Sequence, residues 1–269
     1  MKVNDKIIMV TGGGNGMGRE LVLLLLEKHA RVIAVDVNEA ALHETSRLAG
    51  EYAHSLTTLT ADITKKQTVE SLLNDVLAVY GYIDGIINNA GIIQPFLKLN
   101  DLGFDKIENV FNVNFYGTLY ITKLFLPHLL TRPEAHIVNI SSMGGFLPVP
   151  GQTIYGASKA AVKLLTEGLA SELSETNVHV TVVFPGALRT NIKANSGLGK
   201  EAGPSPEESA SNAALAPSKA AEIIIHGMEK NERRIYVGKD SSFMDITYRL
   251  VPDSASKFIY KKLRHKIQN

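Results

Sequence analysis

A glycine-rich turn near the N-terminus constrains the fold more than any other part of the sequence. Residues 6–11 (KIIMVT) have the pattern of a buried parallel strand, residues 12–18 (GGGNGMG) form the turn, and residues 19–30 predict a helix. Glycine lets other groups approach the backbone closely, and the N-terminus of a helix favours negative charge. Glycines in a loop are weak evidence alone, but with both flanks in place this unit suits a pyrophosphate.

Apolar strand-like segments alternate with helical segments along most of the chain. Further strands are predicted at residues 31–35, 56–61, 84–87, 135–140, 179–184 and 234–237, and helices at 39–49, 66–80, 104–130, 153–173 and 218–230. This alternation indicates βαβ units with right-handed crossovers. The predicted fold class is α/β: a single Rossmann-type doubly wound domain over residues 1–269, with a seven-stranded parallel sheet and helices on both faces.

Polar residues follow several of the predicted strands. Asp36, Asp62 and Asn88 lie at carboxyl ends, the edge of a parallel sheet where ligands bind. The carboxylate of Asp36 can accept hydrogen bonds from both ribose hydroxyls of an adenosine and would repel a 2′-phosphate, which favours NAD over NADP. The alternative is an ordinary turn acid at a strand end. Arg19 and Arg31 are nearby basic residues that could weaken the preference.

Tyr155 and Lys159 are four residues apart, so on a helix they share one face. An ammonium beside a phenol favours the phenolate and lowers its pKa, which would make the tyrosine a proton donor or acceptor near neutral pH. Ser142, on the loop after the fifth strand, could hold the substrate oxygen that exchanges this proton. Taken alone, the Tyr-x-x-x-Lys spacing is better explained by a surface tyrosine and a solvated lysine; the rest of the chain favours the functional interpretation.

Composition excludes several other classes of protein. The formal net charge of +1 gives no electrostatic reason to expect a nucleic-acid partner. The chain has no cysteine, hence no disulfide and no thiolate zinc site. Residues 1–9 lack the apolar core of a signal peptide, and the longest obvious aliphatic run, Leu21–Leu26, is too short to span a bilayer. A cytoplasmic location is therefore expected.

Four sequence signatures occur in an order and approximate spacing typical of one enzyme family. They are Thr11-Gly12-x3-Gly16-x-Gly18, Asn88-Asn89-Ala90-Gly91, Ser142 with Tyr155-x3-Lys159, and Pro185-Gly186-x3-Thr190. On these residues the chain resembles the short-chain dehydrogenase/reductase family from residue 6 to about residue 190. The resemblance implies an NAD(P)-dependent oxidoreductase that moves a hydride between a nicotinamide cofactor and a secondary alcohol or ketone, with NAD preferred over NADP.

The resemblance also implies roles for individual residues. Tyr155 would be the general acid/base, and Lys159 would lower its pKa and bind the nicotinamide ribose. Ser142 would orient the substrate oxygen, and Asn114 would hold a water in a proton relay. The residues implied in cofactor binding are Gly12, Asn15, Gly16, Met17, Gly18, Asp36, Asp62, Ile63, Asn89, Ala90, Gly91, Tyr155, Lys159, Pro185, Gly186, Leu188 and Thr190. No metal is implied, because hydroxyl donors would polarise the substrate and no ligand cluster is evident.

The segments that follow the strand ends predict the substrate pocket. They include Ile93, Gln94 and Pro95, residues 143–146, Gln152, Ala187, and a lid over residues 191–217 that is rich in glycine, alanine, serine and proline. This set is mainly apolar with two amides, which predicts an uncharged, lipophilic small-molecule substrate.

Two other functions remain open. One is an NADP-dependent 3-oxoacyl-type reductase, against which Asp36 argues. The other is a non-catalytic dinucleotide-binding scaffold, against which the intact Ser142, Tyr155 and Lys159 set argues, because a pure binder has no need of a polarised phenol.

The C-terminal tail, residues 240–269, ends in a basic amphipathic segment. Residues 256–269 carry five Lys and Arg and no acid, with Phe258, Ile259, Leu263 and Ile267 at helical spacing. Such a helix could contact an anionic membrane surface, but packing on its own subunit or on a neighbour is the favoured interpretation. The family resemblance suggests a homo-oligomer, either a dimer or a homotetramer.

Overall fold

The computed structural model describes residues 1–189, 192, 196–198 and 214–267. Seven strands form one sheet: β1 (Ile7–Thr11), β2 (Arg31–Asp36), β3 (Leu56–Thr60), β4 (Gly85–Asn88), β5 (Ala135–Ile140), β6 (Val178–Pro185) and β7 (Arg234–Val237). Their spatial order is β3-β2-β1-β4-β5-β6-β7, and every neighbouring pair is parallel. The predicted seven-stranded parallel sheet is therefore confirmed.

Helices connect the strands in the predicted alternation. They are α1 (Gly16–Glu27), α2 (Glu39–Leu48), α3 (Lys66–Tyr80), α4 (Phe104–Phe111), α5 (Thr118–Leu130), α6 (Thr153–Glu172), α7 (Pro217–Glu229), α8 (Lys239–Leu250) and α9 (Pro252–Leu263). A π-helical turn (Asn112–Gly117) joins α4 to α5, and short 3₁₀ turns occur at Gly50–Ser55, Leu99–Asp101, Met143–Gly145 and Arg264–Lys266.

Side chains of the strands alternate between two hydrophobic cores. Ile8 and Val10 of β1 pack with α1 and α7 on one face of the sheet, whereas Ile7 and Met9 pack with α3 and α5 on the other. Because both faces are covered, successive residues of a strand are all buried, and the strand is a continuous apolar run. The doubly wound Rossmann-type fold with helices on both faces is confirmed.

The strand order reverses at β1. Strands β2 and β3 lie on one side of it and β4 to β7 on the other. Thr11, the last residue of β1, pairs with Val35 of β2 and with Asn88 of β4. The carboxyl ends of these three strands therefore lie at one edge of the sheet, and ligands of open α/β sheets bind in the crevice at such a switch point.

The largest local differences from the predicted elements concern two helices. Helix α1 begins at Gly16, three residues before the predicted start, because the side chain of Asn15 accepts the N–H of Gly16 at 2.7 Å and caps the helix. The helix predicted over residues 104–130 is interrupted by the π-helical turn, in which Asn114 lies. It nevertheless continues past Pro127 to its predicted end.

The C-terminal region and the lid segment complete the comparison. Helix α8 was not predicted, and α9 begins earlier than the basic segment because Pro252 occupies its first turn, where proline is favoured. Most of the predicted lid, and also Thr190, lies outside the described residues. Among the residues that the structure does describe, no helix is long and apolar enough to cross a membrane.

Candidate active site

A cavity of about 620 Å³ lies at the carboxyl ends of the strands. Every residue predicted to be catalytic or to bind the cofactor, and that the structure describes, lines this cavity, with the exception of Asn114. The glycine turn and Asp36 therefore share one cavity with Ser142, Tyr155 and Lys159, although the chain separates them by more than 100 residues.

Asp36 organises the loop that begins the cavity. Its Oδ2 accepts the backbone N–H of Gly14 and its Oδ1 accepts that of Asn38, both at 3.0 Å. The guanidinium of Arg19 is held by the carbonyl of Gly14 and by the hydroxyl of Thr45. These hydrogen bonds hold Arg19 against the protein, and Arg19 is not among the residues that line the cavity. Its positive charge is therefore not placed in the cavity, where it could attract a 2′-phosphate and offset the charge of Asp36.

Arg31, the second nearby cation, lies at the opposite end of β2. Its guanidinium donates to the hydroxyl of Tyr82 at 3.0 Å and lies over the rings of Tyr80 and Tyr82. Neither basic residue therefore lines the cavity beside Asp36.

Gly18 packs against the first turn of the site with no room for a side chain. A Cβ atom there would lie 2.0 Å from the carbonyl oxygen of Gly12 and 2.5 Å from Nδ2 of Asn89. The Asn89 amide donates to the carbonyl of Thr11 at 3.0 Å and to that of Gly12 at 3.3 Å. Asn89, from the Asn-Asn-Ala-Gly signature, therefore holds the glycine-rich turn in place.

Asp62 and Ile63 continue the cavity after β3. Burial raises the pKa of Asp62, but hydrogen bonds from Thr64 and Lys65 outweigh it, so that the pKa of the carboxyl is below its ordinary value. The Oγ1 of Thr64 donates to Oδ1 of Asp62 at 2.6 Å. The side chain of Ile63 lies against Gly117, where a Cβ would approach it to 2.6 Å. An ionised acid and an apolar side chain thus lie side by side.

Ser142 and Tyr155 lie close together beside Gly144: a Cβ at Gly144 would lie 3.6 Å from Oγ of Ser142 and 3.5 Å from the ring atom Cε1 of Tyr155. Ser142 precedes the 3₁₀ turn after β5, and its Oγ accepts the N–H of Gly144 at 3.1 Å. Tyr155 lies in the first turn of α6. Burial raises the pKa of the phenol, and the nearby hydroxyl of Ser142 partly opposes that rise. The phenol is therefore protonated at neutral pH and can donate a proton.

The expected lowering of the Tyr155 pKa by Lys159 is wrong for this structure. The Nζ atom of Lys159 donates to the carbonyl of Ile140 at 2.9 Å, and the side chain is buried. Burial lowers the pKa of Lys159 itself to about 8, because a buried ammonium loses its hydration. The two side chains share a helix face, as predicted, but burial rather than mutual attraction dominates both pKa values.

We expect Lys159→Met to flatten the pH dependence of stability of the cofactor-free protein. The pKa of Lys159 is about 8 in the folded protein against an ordinary value of 10.5. Between these values the unfolded chain holds one proton more than the folded protein, so the free energy of unfolding rises with pH, by on the order of 3 kcal/mol. Below about pH 8 the full cost of burying the ammonium is present. Urea unfolding of both proteins from pH 7 to about 10 measures the difference.

A Lys163→Met variant, one helical turn further along α6, controls for the loss of a lysine from that helix. Parallel pH profiles for the wild type and Lys159→Met would contradict the assignment of the lowered pKa to Lys159.

Asn114 lies behind the cavity wall. Its Oδ1 accepts the N–H of Ile92 at 2.8 Å, and its Nδ2 donates to the carbonyl of Ile92 and to Oγ of Ser158. Gly91 separates it from Lys159: a Cβ at Gly91 would lie 3.1 Å from Nζ of Lys159 and 3.3 Å from Oδ1 of Asn114. The side chain is close to Lys159 across a glycine, and its predicted role in a water relay stays a prediction.

The segment after β6 forms the opposite wall, which Pro185, Gly186 and Leu188 line. Asp240 at the start of α8 fixes this segment, since its Oδ2 accepts the N–H of Ala187 at 3.0 Å. A Cβ at Gly186 would collide with the same carboxylate. Helix α8, through Asp240, thus positions the wall formed by Pro185, Gly186 and Leu188, which the sequence analysis predicted to bind the cofactor.

The predicted substrate pocket needs correction. Gln94 and Gln152 are buried and bonded to backbone groups, and residues 143–146 are not among the residues that line the cavity; Phe146 packs against Phe184. The cavity is instead lined here by the predicted Ile93, by Ile192 of the predicted lid, and by three residues that sequence reasoning missed: Ile92, Asn109 and Val113. Asn109 and Val113 are one helical turn apart, and Val113 precedes Asn114, so helical spacing could have indicated them.

Comparison with known proteins places the chain in a family. The family model described as short chain dehydrogenase matches residues 6–201. The chain is 34% identical over 259 residues to a Mycobacterium tuberculosis protein named "Putative oxidoreductase SadH", covering 94% of each chain. It is 36% identical over 192 residues to an uncharacterized oxidoreductase of Staphylococcus aureus, covering 71% of this chain and 82% of that one. The chain belongs to the short-chain dehydrogenase/reductase family.

Solved structures agree with this assignment. A short chain dehydrogenase/reductase from Burkholderia phymatum in complex with NAD superposes with a TM-score of 0.79, at 25% identity over 88% of this chain and 90% of that chain. The closed form of a serine dehydrogenase complexed with NADP⁺ superposes with a TM-score of 0.75, at 27% identity over 81% and 87%. The chain is therefore an oxidoreductase of this family, and binding of a nicotinamide cofactor is supported.

Proposed function

We propose that this protein is an NAD-dependent short-chain alcohol dehydrogenase or carbonyl reductase that acts on an uncharged, lipophilic secondary alcohol or ketone. The observation that carries the proposal is that Ser142, Tyr155 and Lys159 line one cavity together with the glycine turn and Asp36. We further propose that residues 1–269 form one cofactor-binding and catalytic domain, with residues 191–217 as a substrate lid.

The residues of the cavity fit a dinucleotide. Gly12 and Gly16 have positive φ angles of 69° and 51°, and a Cβ at Gly14 would lie 2.9 Å from the carboxylate of Asp36. These positions therefore require glycine, which leaves the backbone accessible to a ligand. The N-terminus of α1 adds peptide dipoles that favour a pyrophosphate. Asp36 would hold the adenosine ribose, and Lys159 the nicotinamide ribose.

Proton transfer would be the work of Tyr155. In reduction its phenol donates a proton to the carbonyl oxygen, and in oxidation its phenolate, formed at higher pH, accepts one from the alcohol. Ser142 orients that oxygen through its hydroxyl. A nicotinamide cofactor, when bound, supplies or accepts the hydride. The raised pKa of Tyr155 keeps the proton in place for carbonyl reduction at neutral pH.

The lining near Tyr155 supports the substrate class. Ile92, Ile93, Val113 and Ile192 are apolar, and Asn109 is a neutral polar residue among them. Arg189, the nearest candidate anchor for a carboxylate or phosphate, does not line the cavity. Secondary alcohols of increasing apolar surface, assayed with NAD, test the class; activity confined to small acidic substrates would contradict it.

We expect NADH to bind at least ten times more tightly than NADPH, because the Asp36 carboxylate repels a 2′-phosphate and accepts the ribose hydroxyls; charged hydrogen bonds contribute about 1.5–3 kcal/mol. Replacing Asp36 by asparagine keeps the shape of the side chain, removes its charge and is expected to erase most of this preference. Fluorescence titration of each protein with both cofactors measures the ratio.

An Asp75→Asn variant serves as the control, since Asp75 is exposed on α3 away from the cavity. Equal or tighter binding of NADPH by the wild type would favour the alternative of an NADP-dependent 3-oxoacyl-type reductase. Absence of binding of either cofactor would remove the basis for the proposed function.

The predicted partners stay predictions. Ala255 and Ile259 of α9 are buried against Leu147 and Met244, so the tail helix packs on its own chain, as the favoured interpretation held. Helix α8 buries Met244 and exposes Phe243, Ile246 and Leu250 on its outer face. We propose a homo-oligomer of this enzyme; contact of the basic tail with a membrane remains the less favoured alternative.

A further inference from the structure

The catalytic helix α6 lacks a cap of its own. The backbone N–H groups in the first turn of a helix have no partner within the helix, and a Ser, Thr, Asp or Asn at the preceding position normally accepts one of them. The preceding residue of α6 is Gln152, and its side chain makes no capping hydrogen bond. The first turn also contains no acidic residue.

Gln94 provides this cap from a distant part of the chain. Its Oε1 accepts the N–H of Ile154 at 2.8 Å and the N–H of Tyr155 at 2.9 Å. These are the two donors, at the second and third helical positions, that a conventional capping side chain would satisfy. Gln94 lies 61 residues before Tyr155, on the loop after β4.

The position of Gln94 is fixed by two further hydrogen bonds. Its Nε2 donates to the carbonyl of Gly151 at 3.2 Å, which fixes the side-chain amide. The backbone carbonyl of Gln94 accepts Nε2 of Gln152 at 2.7 Å, which fixes the backbone from which that side chain extends. The side chain is only 1% exposed. With both ends of the amide engaged, the acceptor oxygen cannot turn away from the helix without leaving a buried polar group unpaired.

The backbone of Tyr155 is thus held from both sides. Gln94 accepts its N–H, and the hydroxyl of Ser158 donates to its carbonyl at 2.7 Å. Ser158 in turn accepts from the amide of Asn114 at 2.9 Å. The loop from Gly91 to Gln94 is bonded to Asn114 through Ile92, so one short segment links the cofactor signature, the π-helical turn and the catalytic helix.

We propose that Gln94 is a positioning residue for Tyr155, which caps α6 and sets the place of the phenol relative to Ser142. This inference rests on the proposed function of Tyr155 as the proton donor. It differs from the predicted role of Gln94 as a residue that contacts substrate, since the side chain does not line the cavity.

The test is the Gln94→Met variant, which keeps the length of the side chain and removes its oxygen. We expect kcat for ketone reduction to fall by about 10- to 100-fold, because a displacement of a catalytic group by about 1 Å can cost that much. The Kd of NADH and the KM of the ketone should stay within about threefold, since Gln94 touches neither. Gln94→Glu retains an oxygen for both N–H groups but loses the donor to the carbonyl of Gly151, so its kcat should lie between those of Gln94→Met and the wild type. Gln67→Met, on the exposed face of α3, is the matched control.

Hydrogen exchange at the amides of Ile154 and Tyr155 provides a readout that does not require activity. We expect faster exchange at these two amides in Gln94→Met than in the wild type and in Gln67→Met. Unchanged exchange would overturn the capping role, and faster exchange with unchanged kcat would overturn the positioning role. A wild-type protein that binds NADH but reduces no ketone would contradict the proposed function. It would not affect the capping of α6 by Gln94, which hydrogen exchange tests without any enzyme activity.

Discussion

Tyr155→Phe is expected to lower kcat for hydride transfer by about 10²- to 10⁴-fold, the usual contribution of a positioned general acid or base. The substitution removes one hydroxyl and leaves the ring, so the shape of the cavity is retained. The hydroxyl is the group that would transfer the proton. Binding of NADH should change by less than about threefold, because the glycine turn and Asp36 remain. Steady-state kinetics and a fluorescence titration on the same preparation measure both quantities.

A Tyr260→Phe variant is the control for this prediction. Tyr260 is 53% exposed on α9, and loss of its hydroxyl should leave kcat unchanged. A Tyr155→Phe enzyme with wild-type kcat would show that another group transfers the proton. Loss of NADH binding in the same variant would show instead that the hydroxyl maintains the cofactor cavity.

Gly18→Ala is expected to abolish measurable NADH binding and to destabilise the protein by about 1–3 kcal/mol, the usual cost of overpacking a tight interior. The new Cβ would lie 2.0 Å from the carbonyl oxygen of Gly12, so either α1 or the glycine turn must move. Movement of either takes the N-terminus of α1 away from the place where it would meet a pyrophosphate. NADH titration and urea unfolding measure the two effects.

Gly168→Ala provides a matched control for this substitution. Gly168 lies within α6, and a Cβ there would meet no atom within 4 Å. Alanine favours a helix over glycine by about 1 kcal/mol, so this variant should be as stable as the wild type or more so. Both substitutions raise the helix propensity of the residue, but only at Gly18 does the new Cβ collide with backbone atoms. Similar behaviour of the two variants would contradict the steric explanation.

The sheet and its helices could be predicted because their signals are local. A strand buried on both faces is a continuous apolar run, as residues 7–11 are, and helix α3 has the approximate bounds that were predicted for it. Helix α8 was missed because its outward face carries Phe243, Ile246 and Leu250, so that its apolar residues do not mark one buried stripe. The π-helical turn was missed because its backbone stays helical and only the hydrogen-bond spacing changes.

The candidate site divides in the same way. Signatures of short spacing, such as the glycines of residues 12–18 and the pair of Tyr155 and Lys159, identify residues by their local pattern, and these residues do line one cavity. The capping of α6 by Gln94 left no local signal, because acceptor and donors are about 60 residues apart. The same separation led to the assignment of Gln94 and Gln152 to the substrate pocket, when both side chains are buried and donate to backbone carbonyls.

The sequence by itself determined the fold class, the family and most of the catalytic and cofactor-binding candidates that share the cavity, because these depend on apolar periodicity and on glycine, proline and polar residues at strand ends. Only the tertiary structure decided the direction of the pKa shifts. A tyrosine and a lysine one helical turn apart predict mutual stabilisation of their charges, but the pKa of Tyr155 is raised and that of Lys159 is lowered. Burial depends on what the rest of the chain packs around the pair, and desolvation of a charge in that environment outweighs the attraction between neighbours.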